Sequence, residues 1–195
     1  MEPIILASTS PRRQDILKSL GLPFSVLSPA YEEIDPPGMG PAEVAEYHAM
    51  KKVESIVRMQ LTISVPWVLG ADTLISLDGR VFGKSPDRDG AAETLRALSG
   101  RTHQVITSLA LFDSERQWTS CKTSVSEVTF AELTPRQIEG YLDTGEWQGV
   151  AGSYRIQGVG ACLVERITGS YSGIVGLPIR ELYEILREHG YAFVM

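Results

Sequence analysis

Leu6-Ala7-Ser8-Thr9-Ser10-Pro11-Arg12-Arg13 ends a short apolar run and opens a segment of helical period, and that junction decides the fold. Ile4 to Ala7 reads as a strand, Pro11 to Leu20 as a helix stopped by Gly21, and Phe24 to Leu27 as a second short strand. Two strands joined through a helix make a βαβ unit, so the sheet is expected to begin with parallel pairing. The junction also carries an electrostatic conflict. A helix exposes N–H groups and a partial positive charge in its first turn, so Arg12 and Arg13 are unfavourable there unless something negative lies nearby. Ser10 suits the N-cap and Pro11 the first helical position, while Ser8, Thr9 and the free N–H groups are donors of the kind that hold phosphate. A capped surface helix with both arginines in water explains the local pattern equally well.

Strand-like and helix-like segments keep alternating beyond this unit. A loop rich in proline and glycine, Pro36-Pro37-Gly38-Met39-Gly40-Pro41, leads into a long helix from about Ala42 to Gln60. Pro66 to Ser76 is apolar and β-rich apart from Asp72 and Thr73, and Asp78-Gly79 predicts a tight hairpin with Arg80-Val81-Phe82 as the return strand. Asp89 to Leu98 has helical period and stops at Ser99-Gly100. Val105 to Phe112 and Ser120 to Leu133 form an expected antiparallel hairpin across Asp113-Ser114-Glu115. Thr134-Pro135 starts a helix reaching about Asp143, Ala161 to Ile167 reads as a strand, and Leu177 to Glu188 as a final helix with Leu182, Ile185 and Leu186 on one face. The expected fold class is α/β (mixed α+β), a mixed sheet with helices on both sides. With no internal repeat or low-complexity linker, residues 1–195 are expected to form a single domain.

A chain of 195 residues can bury a real core, and its balance of 43% apolar and 22% charged residues is that of an ordinary soluble protein. Met1-Glu2-Pro3 lacks the basic start of a signal peptide, and the apolar run after it is too short to span a membrane, so a cytoplasmic protein without a membrane partner is expected. Cys121 and Cys162 have no CxxC or Cys/His spacing, which predicts two free buried thiols. A net charge of −6 argues against a nucleic-acid surface built on bulk positive charge. It leaves room for a phosphate-bearing small molecule, which needs only a locally basic cleft. Arg12/Arg13, Lys51/Lys52 and Lys84 each stand beside a turn or helix signal that could build one.

Asp72 is the second focus. Inside Val68-Leu69-Gly70-Ala71-Asp72-Thr73-Leu74-Ile75 a carboxylate is costly unless paired, hydrogen-bonded or bound to metal, which suggests a general base or a metal ligand at a strand end; a turn-capping Asp is the plainer alternative. Gly83-Lys84-Ser85 looks like the end of a P-loop, but the position of the first P-loop glycine is Asp78 and a hairpin precedes the triplet, so the P-loop is rejected. Lys84 then reads either as a phosphate-reaching lysine or as a solvated turn residue. In Glu32-Glu33-Asp35, Glu33 could join Asp72 in holding a hard cation such as Mg²⁺, although an acidic loop is more often simply solvated. Lys51 and Lys52 have the same two readings, with at least one expected at the surface. The glycine-rich stretch Ala151 to Gly160 holds one long amide, Gln157, whose paired donor and acceptor suit a nucleobase edge. His48, His103 and His189 are too dispersed to suggest a ligand set, and His103 is assigned a structural or supporting role.

Taken in order, Leu6 to Arg13, Glu33, Lys52, Gly70-Ala71-Asp72-Thr73, Gly83-Lys84, Ser99 to Val105, Ala151 to Gly158 and Val175-Gly176-Leu177-Pro178 resemble the Maf family of nucleoside triphosphate pyrophosphatases, over nearly the whole chain. The resemblance implies a Mg²⁺-dependent (or other divalent-cation-dependent) hydrolase cleaving between the α and β phosphates. It also implies an elongated sheet flanked by helices, with two lobes and a central cleft, similar to inosine triphosphate pyrophosphatases. By matching position, Asp72 is the proton acceptor that activates water, Ser8, Arg13, Lys52 and Lys84 hold the triphosphate, and Glu33 assists Asp72 at the metal. Arg12, Thr73 and Gln157 agree with the branch that acts on dTTP and UTP, whereas the branch preferring 7-methyl-GTP carries an aromatic residue, Gln and Glu there. Three departures bear on base preference and the site: Ser85 where proline is usual, Val150 where lysine is usual, and Arg155 in place of a customary glycine.

The leading expectation is a pyrophosphatase for dTTP, UTP and related modified pyrimidine nucleotides, with a nucleoside triphosphate as partner and a homodimer left open. Its rivals are a non-catalytic nucleotide-binding regulator of septum formation, a pyrophosphatase preferring 7-methyl-GTP, and a nucleic-acid binder, the last opposed by the acidic charge.

Overall fold

The computed structural model describes residues 1–59 and 66–193. The opening is the expected βαβ unit: β1 (Ile4–Leu6), α1 (Pro11–Ser19) and β2 (Phe24–Val26), with β1 and β2 parallel in the register Ile4 to Phe24. β1 is also parallel to β3 (Trp67–Leu77), and β3 is antiparallel both to β4 (Arg80–Phe82) and to β5 (Thr102–Asp113). β5 pairs with β6 (Trp118–Phe130) and β6 with β7 (Val164–Thr168), again antiparallel. The order across the seven-stranded sheet is β2-β1-β3-β5-β6-β7, with β4 on β3.

The pairing along β3 creates the site. β5 accompanies β3 from Trp67 to Ser76 on one edge. On the other edge β1 pairs only as far as Leu69, and β4 comes back toward it only as far as Ile75. β1 and β4 therefore approach carboxyl end to carboxyl end, and among the described residues the stretch of β3 between them has no strand neighbour on that edge. Side chains following both strands converge on this gap, as they do at the crevice beyond the carboxyl ends of strands in open α/β sheets.

Alternation along the strands sends Ile4, Leu6, Leu69 and Ala71 into the larger core and Ile5, Ala7 and Val68 into a smaller one beneath α2 (Pro41–Met59). The apolar stripe of α2, Ala45, Ala49, Val53 and Ile56, covers that second face. Gly70 allows the close approach: a Cβ there would lie 2.5 Å from the Ala49 carbonyl oxygen and 2.7 Å from Val53 Cγ2. On the opposite face lie residues of α1, α3 (Arg88–Leu98), α4 (Pro135–Leu142) and α6 (Ile179–Glu188). The sheet is covered on both faces, as expected. No helix among the described residues is long and apolar enough to cross a membrane.

Several boundaries differ from expectation for local reasons. Ala161 to Ile167 is not all strand: Val159–Leu163 forms a 3₁₀ helix and only then does β7 begin. The Glu146 carboxylate accepts the Val159 and Gly160 N–H groups, giving that turn an acceptor no local pattern reveals. The last helix begins at Ile179, because Pro178 occupies its N-cap position and Gly176 turns the chain at φ 119°. Before it lies a short helix, α5 (Tyr171–Val175), capped by the Ser170 hydroxyl and too short to show a period. β6 stops at Phe130, after which Ala131 donates to the Leu163 carbonyl. The expected end of the long helix at Gln60 lies outside the described residues. Both cysteines are free, but Cys162 is exposed and Cys121 only partly buried, which corrects the expectation of two buried thiols.

Candidate active site

The gap on β3 opens into a cleft of about 800 Å³ lined by every residue selected from the sequence: Ser8, Arg12, Arg13, Glu33, Lys52, Asp72, Thr73, Lys84 and Gln157. Each element delivers its share for a visible reason. Ser8 follows the carboxyl end of β1, and Lys84 follows that of β4. Asp72 and Thr73 stand between them on the stretch of β3 that is paired with β5 along its other edge. Lys52 occupies a position on the buried stripe of α2 and reaches Asp72 across the contact that Gly70 makes possible. Gln157 belongs to the glycine-rich segment, which is fastened beside β4 by a bridge between Lys84 and Ala151 and by the Gly152 N–H donating to the Gly83 carbonyl at 3.0 Å.

The centre of the cleft is a three-charge cluster. The Lys52 ammonium lies 2.6 Å from Asp72 Oδ1 and 2.6 Å from Glu33 Oε1. Both Lys52 and Asp72 are buried, so each carries a desolvation cost that this geometry offsets. Burial alone would raise the Glu33 carboxyl; the hydrogen bond and charge of Lys52, with Lys84 and His48 farther off, outweigh it and hold the group below its ordinary value. Lys51, by contrast, is a partly exposed partner of Glu54.

Arg13 settles the conflict noticed at the helix start. Its side chain folds inward, with Nε donating to the Gly176 carbonyl at 2.9 Å, one terminal nitrogen to Ser8 Oγ at 3.0 Å and the other to Thr73 Oγ1 at 3.1 Å. The Thr73 and Thr107 hydroxyls are 2.9 Å apart, and Thr107 also reaches the Gly173 carbonyl at 2.8 Å. The Thr107 hydroxyl is the donor in both contacts, its one proton shared between the Thr73 hydroxyl and the Gly173 carbonyl. These contacts hold the guanidinium rigidly and leave N–H groups unused. Among the described residues no carboxylate lies within ion-pair distance of it, although Asp72 and Glu33 are near enough to act on its charge. Burial lowers the Arg13 pKa first, and a buried cation without a contacting anion favours an anionic ligand. Ser10 occupies the N-cap position of α1 as expected, but its side chain makes no capping bond, and its N–H donates to Ser8 Oγ instead.

Arg12 is half-buried, its pKa lowered by burial first and then by the charge of Arg155. Two guanidiniums thus act on one another, and both residues line the cleft together with Gln157. His103 does not line the cleft. It is buried against Phe130 and bonds Tyr154, a cleft residue, at 2.9 Å, in keeping with a supporting role. Residues that sequence reasoning passed over also line the cleft: Tyr31, Asp35 and His48 beside Glu33, and Tyr154 beside Arg155. The available signal was periodic, since His48 precedes Lys52 by one turn on the stripe of α2 that faces the sheet.

For a divalent cation, the chemistry of the donor set is informative. Glu33 and Asp72 are hard oxygen donors brought together by one ammonium that contacts a single oxygen of each. Among the described residues no group of three or more metal-ligating side chains forms a cage. Two carboxylates suit Mg²⁺ that draws its remaining ligands from water and from substrate phosphates, so the residues fit such an ion.

Comparison with known proteins gives the family of the chain. The Maf family model, described as Maf-like protein, matches residues 3–189. A dTTP/UTP pyrophosphatase of Pelotomaculum thermopropionicum is 39% identical over 191 residues, covering 98% of this chain and 98% of the relative. A dTTP/UTP pyrophosphatase of Escherichia coli O157:H7 is 44% identical over 186 residues, covering 95% of this chain and 92% of the relative. Among solved structures the Ham1 protein of Staphylococcus aureus matches 67% of this chain and 73% of its own, with 15% identity and a TM-score of 0.47. By the extent of the family match and the identity of these full-length relatives, the chain belongs to the Maf family.

Proposed function

We propose that this protein is a nucleoside triphosphate pyrophosphatase that hydrolyses dTTP and UTP, together with modified pyrimidine nucleotides of similar shape, to the monophosphate and pyrophosphate. The observation that carries the reading is Asp72: a buried carboxylate on a stretch of β3 paired along one edge only, held by Lys52, in a cleft that also receives the anion-seeking Arg13 and Lys84. The names of the relatives support the same substrates.

In this mechanism the triphosphate lies against Ser8, Arg13, Lys52 and Lys84. Their donors balance its charge and stabilise the charge that develops as the α–β anhydride breaks. Lys52 fixes one oxygen of Asp72, and the other takes a proton from the attacking water, so that water's oxygen joins one product while pyrophosphate departs. Glu33 and Asp72 would hold a divalent cation such as Mg²⁺, which would supply further charge neutralisation. Arg13, fixed by Ser8, Thr73 and Gly176, is preorganised and need not reorient during the reaction. Arg12, Thr73 and Gln157 select the base: arginine has only donors, which suit the carbonyl oxygens of uracil and thymine better than the 4-amino group of cytosine.

Cleft residues run from Ala7 to Gly176, so residues 1–195 are proposed to act as one catalytic domain, in the cytoplasm where its substrates are made and used. The test is pyrophosphate release from a nucleotide panel with Mg²⁺. Tight nucleotide binding without turnover would instead point to a regulator.

A further inference from the structure

On both sides of Glu33 its loop is fastened to α2 by one buried side chain, in addition to the Lys52 contact with Glu33 itself. His48, 3% exposed, contacts the Tyr31 hydroxyl through Nδ1 at 2.8 Å and Asp35 Oδ1 through Nε2 at 2.7 Å. Tyr31 and Asp35 flank Glu33 on its two sides in the chain, and all three residues line the cleft. The donor pattern follows from the partners. Asp35 as a carboxylate can only accept, so Nε2 carries the imidazole proton; in the neutral ring Nδ1 then accepts, and Tyr31 donates to it. The Tyr31 pKa is pushed up to about 12, by burial first and by neighbouring tyrosine and carboxylate groups, so the hydroxyl keeps the proton it donates. His48 shares the buried stripe of α2 with Lys52, and Lys52 holds Glu33 Oε1 at 2.6 Å.

We propose that His48 is a positioning residue for the pyrophosphatase reaction: by clasping Tyr31 and Asp35 it holds the exposed loop so that the Glu33 carboxylate stays on Lys52 and beside Asp72. Nothing in the mechanism above uses His48, and its ring does not contact Asp72. Burying two polar nitrogens on a helix stripe that is otherwise mostly apolar is costly, and the two short bonds to the Glu33 loop offset that cost. Glu33 itself is half-exposed, and among the described residues its ion pair is with Lys52. Without the clasp its loop loses both anchors that flank it.

This inference rests on the proposed pyrophosphatase activity, and its experiment keeps the two apart. Pyrophosphate release from dTTP is measured against nucleotide and Mg²⁺ concentration for the wild type, His48→Leu, Glu33→Gln and the double variant, with Tyr31→Phe and Asp35→Asn as milder changes that leave α2 intact. Groups that orient a ligand carboxylate cost about 10- to 100-fold in activity or metal affinity when removed. His48→Leu is expected to lower kcat/KM and raise the half-saturating Mg²⁺ concentration by factors in that range. The same change is expected to cost nothing further once Glu33→Gln is present. Tyr31→Phe and Asp35→Asn should each give a smaller loss with the same dependence on Glu33, which preserves the test if His48→Leu folds poorly. Losses that are equal with and without Glu33→Gln, or unchanged Mg²⁺ dependence, would overturn the positioning role. An inactive wild type would overturn the proposed function instead.

Discussion

At the scale of the residue, the electrostatics of Asp72, Lys52 and Arg13 decide what the cleft can do. Replacing Asp72 by Asn keeps its shape while removing the proposed proton acceptor and one of the two anions on Lys52. The expected result is a rate lower by about 10²- to 10⁴-fold with the fold retained, measured by steady-state kinetics beside circular dichroism. His103 makes a separate prediction about stability. Burial pushes its imidazole down to about 4 from an ordinary 6.5, so the folded protein prefers the neutral ring. Unfolding lets the ring take up a proton below pH 6.5, so its stabilising contribution is complete above that pH and is lost as pH falls through about 4. The loss is on the order of 3 kcal/mol. Urea unfolding across that range should show a steeper decline for the wild type than for His103→Phe, which has no proton to gain.

At the scale of the element, the packing of α2 on β3 sets the distance from Lys52 to Asp72. Gly70→Ala would place a methyl 2.5 Å from the Ala49 carbonyl oxygen, which backbone can relieve only by moving. A loss of about 1–3 kcal/mol is expected, typical of overpacking, together with lower activity because Lys52 moves with the helix. Thermal melting and the dTTP assay on the same variant check both parts. Elements long enough to repeat a pattern were legible in the sequence: the β1-α1-β2 opening, the α2 stripe and the β5–β6 hairpin carry their periods openly. The 3₁₀ turn at Val159–Leu163 and the five-residue α5 were not, because their stability comes from Glu146 and Ser170 rather than from a repeat. Asp72 could be found because a carboxylate in an apolar strand is conspicuous. His48 escaped because a histidine on a helix stripe looks like any satisfied core residue until Tyr31 and Asp35 are seen on either side of its ring.

At the scale of the whole molecule, β1 and β4 ending against the same edge of β3 explain why residues distant in sequence meet. That arrangement could not be read from local pattern, since it depends on which edge each strand pairs with. On a chain of net charge −6, five cations, Arg12, Arg13, Lys52, Lys84 and Arg155, line the cleft where the sheet is interrupted, which suits the proposed polyanionic substrate. A ligand that binds only the folded cleft stabilises it by about 2.7 kcal/mol at a hundred times its dissociation constant. The melting temperature should therefore rise with dTTP and Mg²⁺ and stay unchanged with duplex DNA at the same phosphate concentration, which differential scanning fluorimetry can check.

The central claim is that this cleft hydrolyses pyrimidine nucleoside triphosphates with Asp72 as proton acceptor. It is tested most directly by measuring pyrophosphate released from dTTP, UTP, CTP and 7-methyl-GTP, with Mg²⁺, by the wild type and by Asp72→Asn. The account predicts rapid release from dTTP and UTP, slower release from CTP and 7-methyl-GTP, and loss of release in Asp72→Asn. No pyrophosphate from any of the four, or full activity in Asp72→Asn, would contradict it.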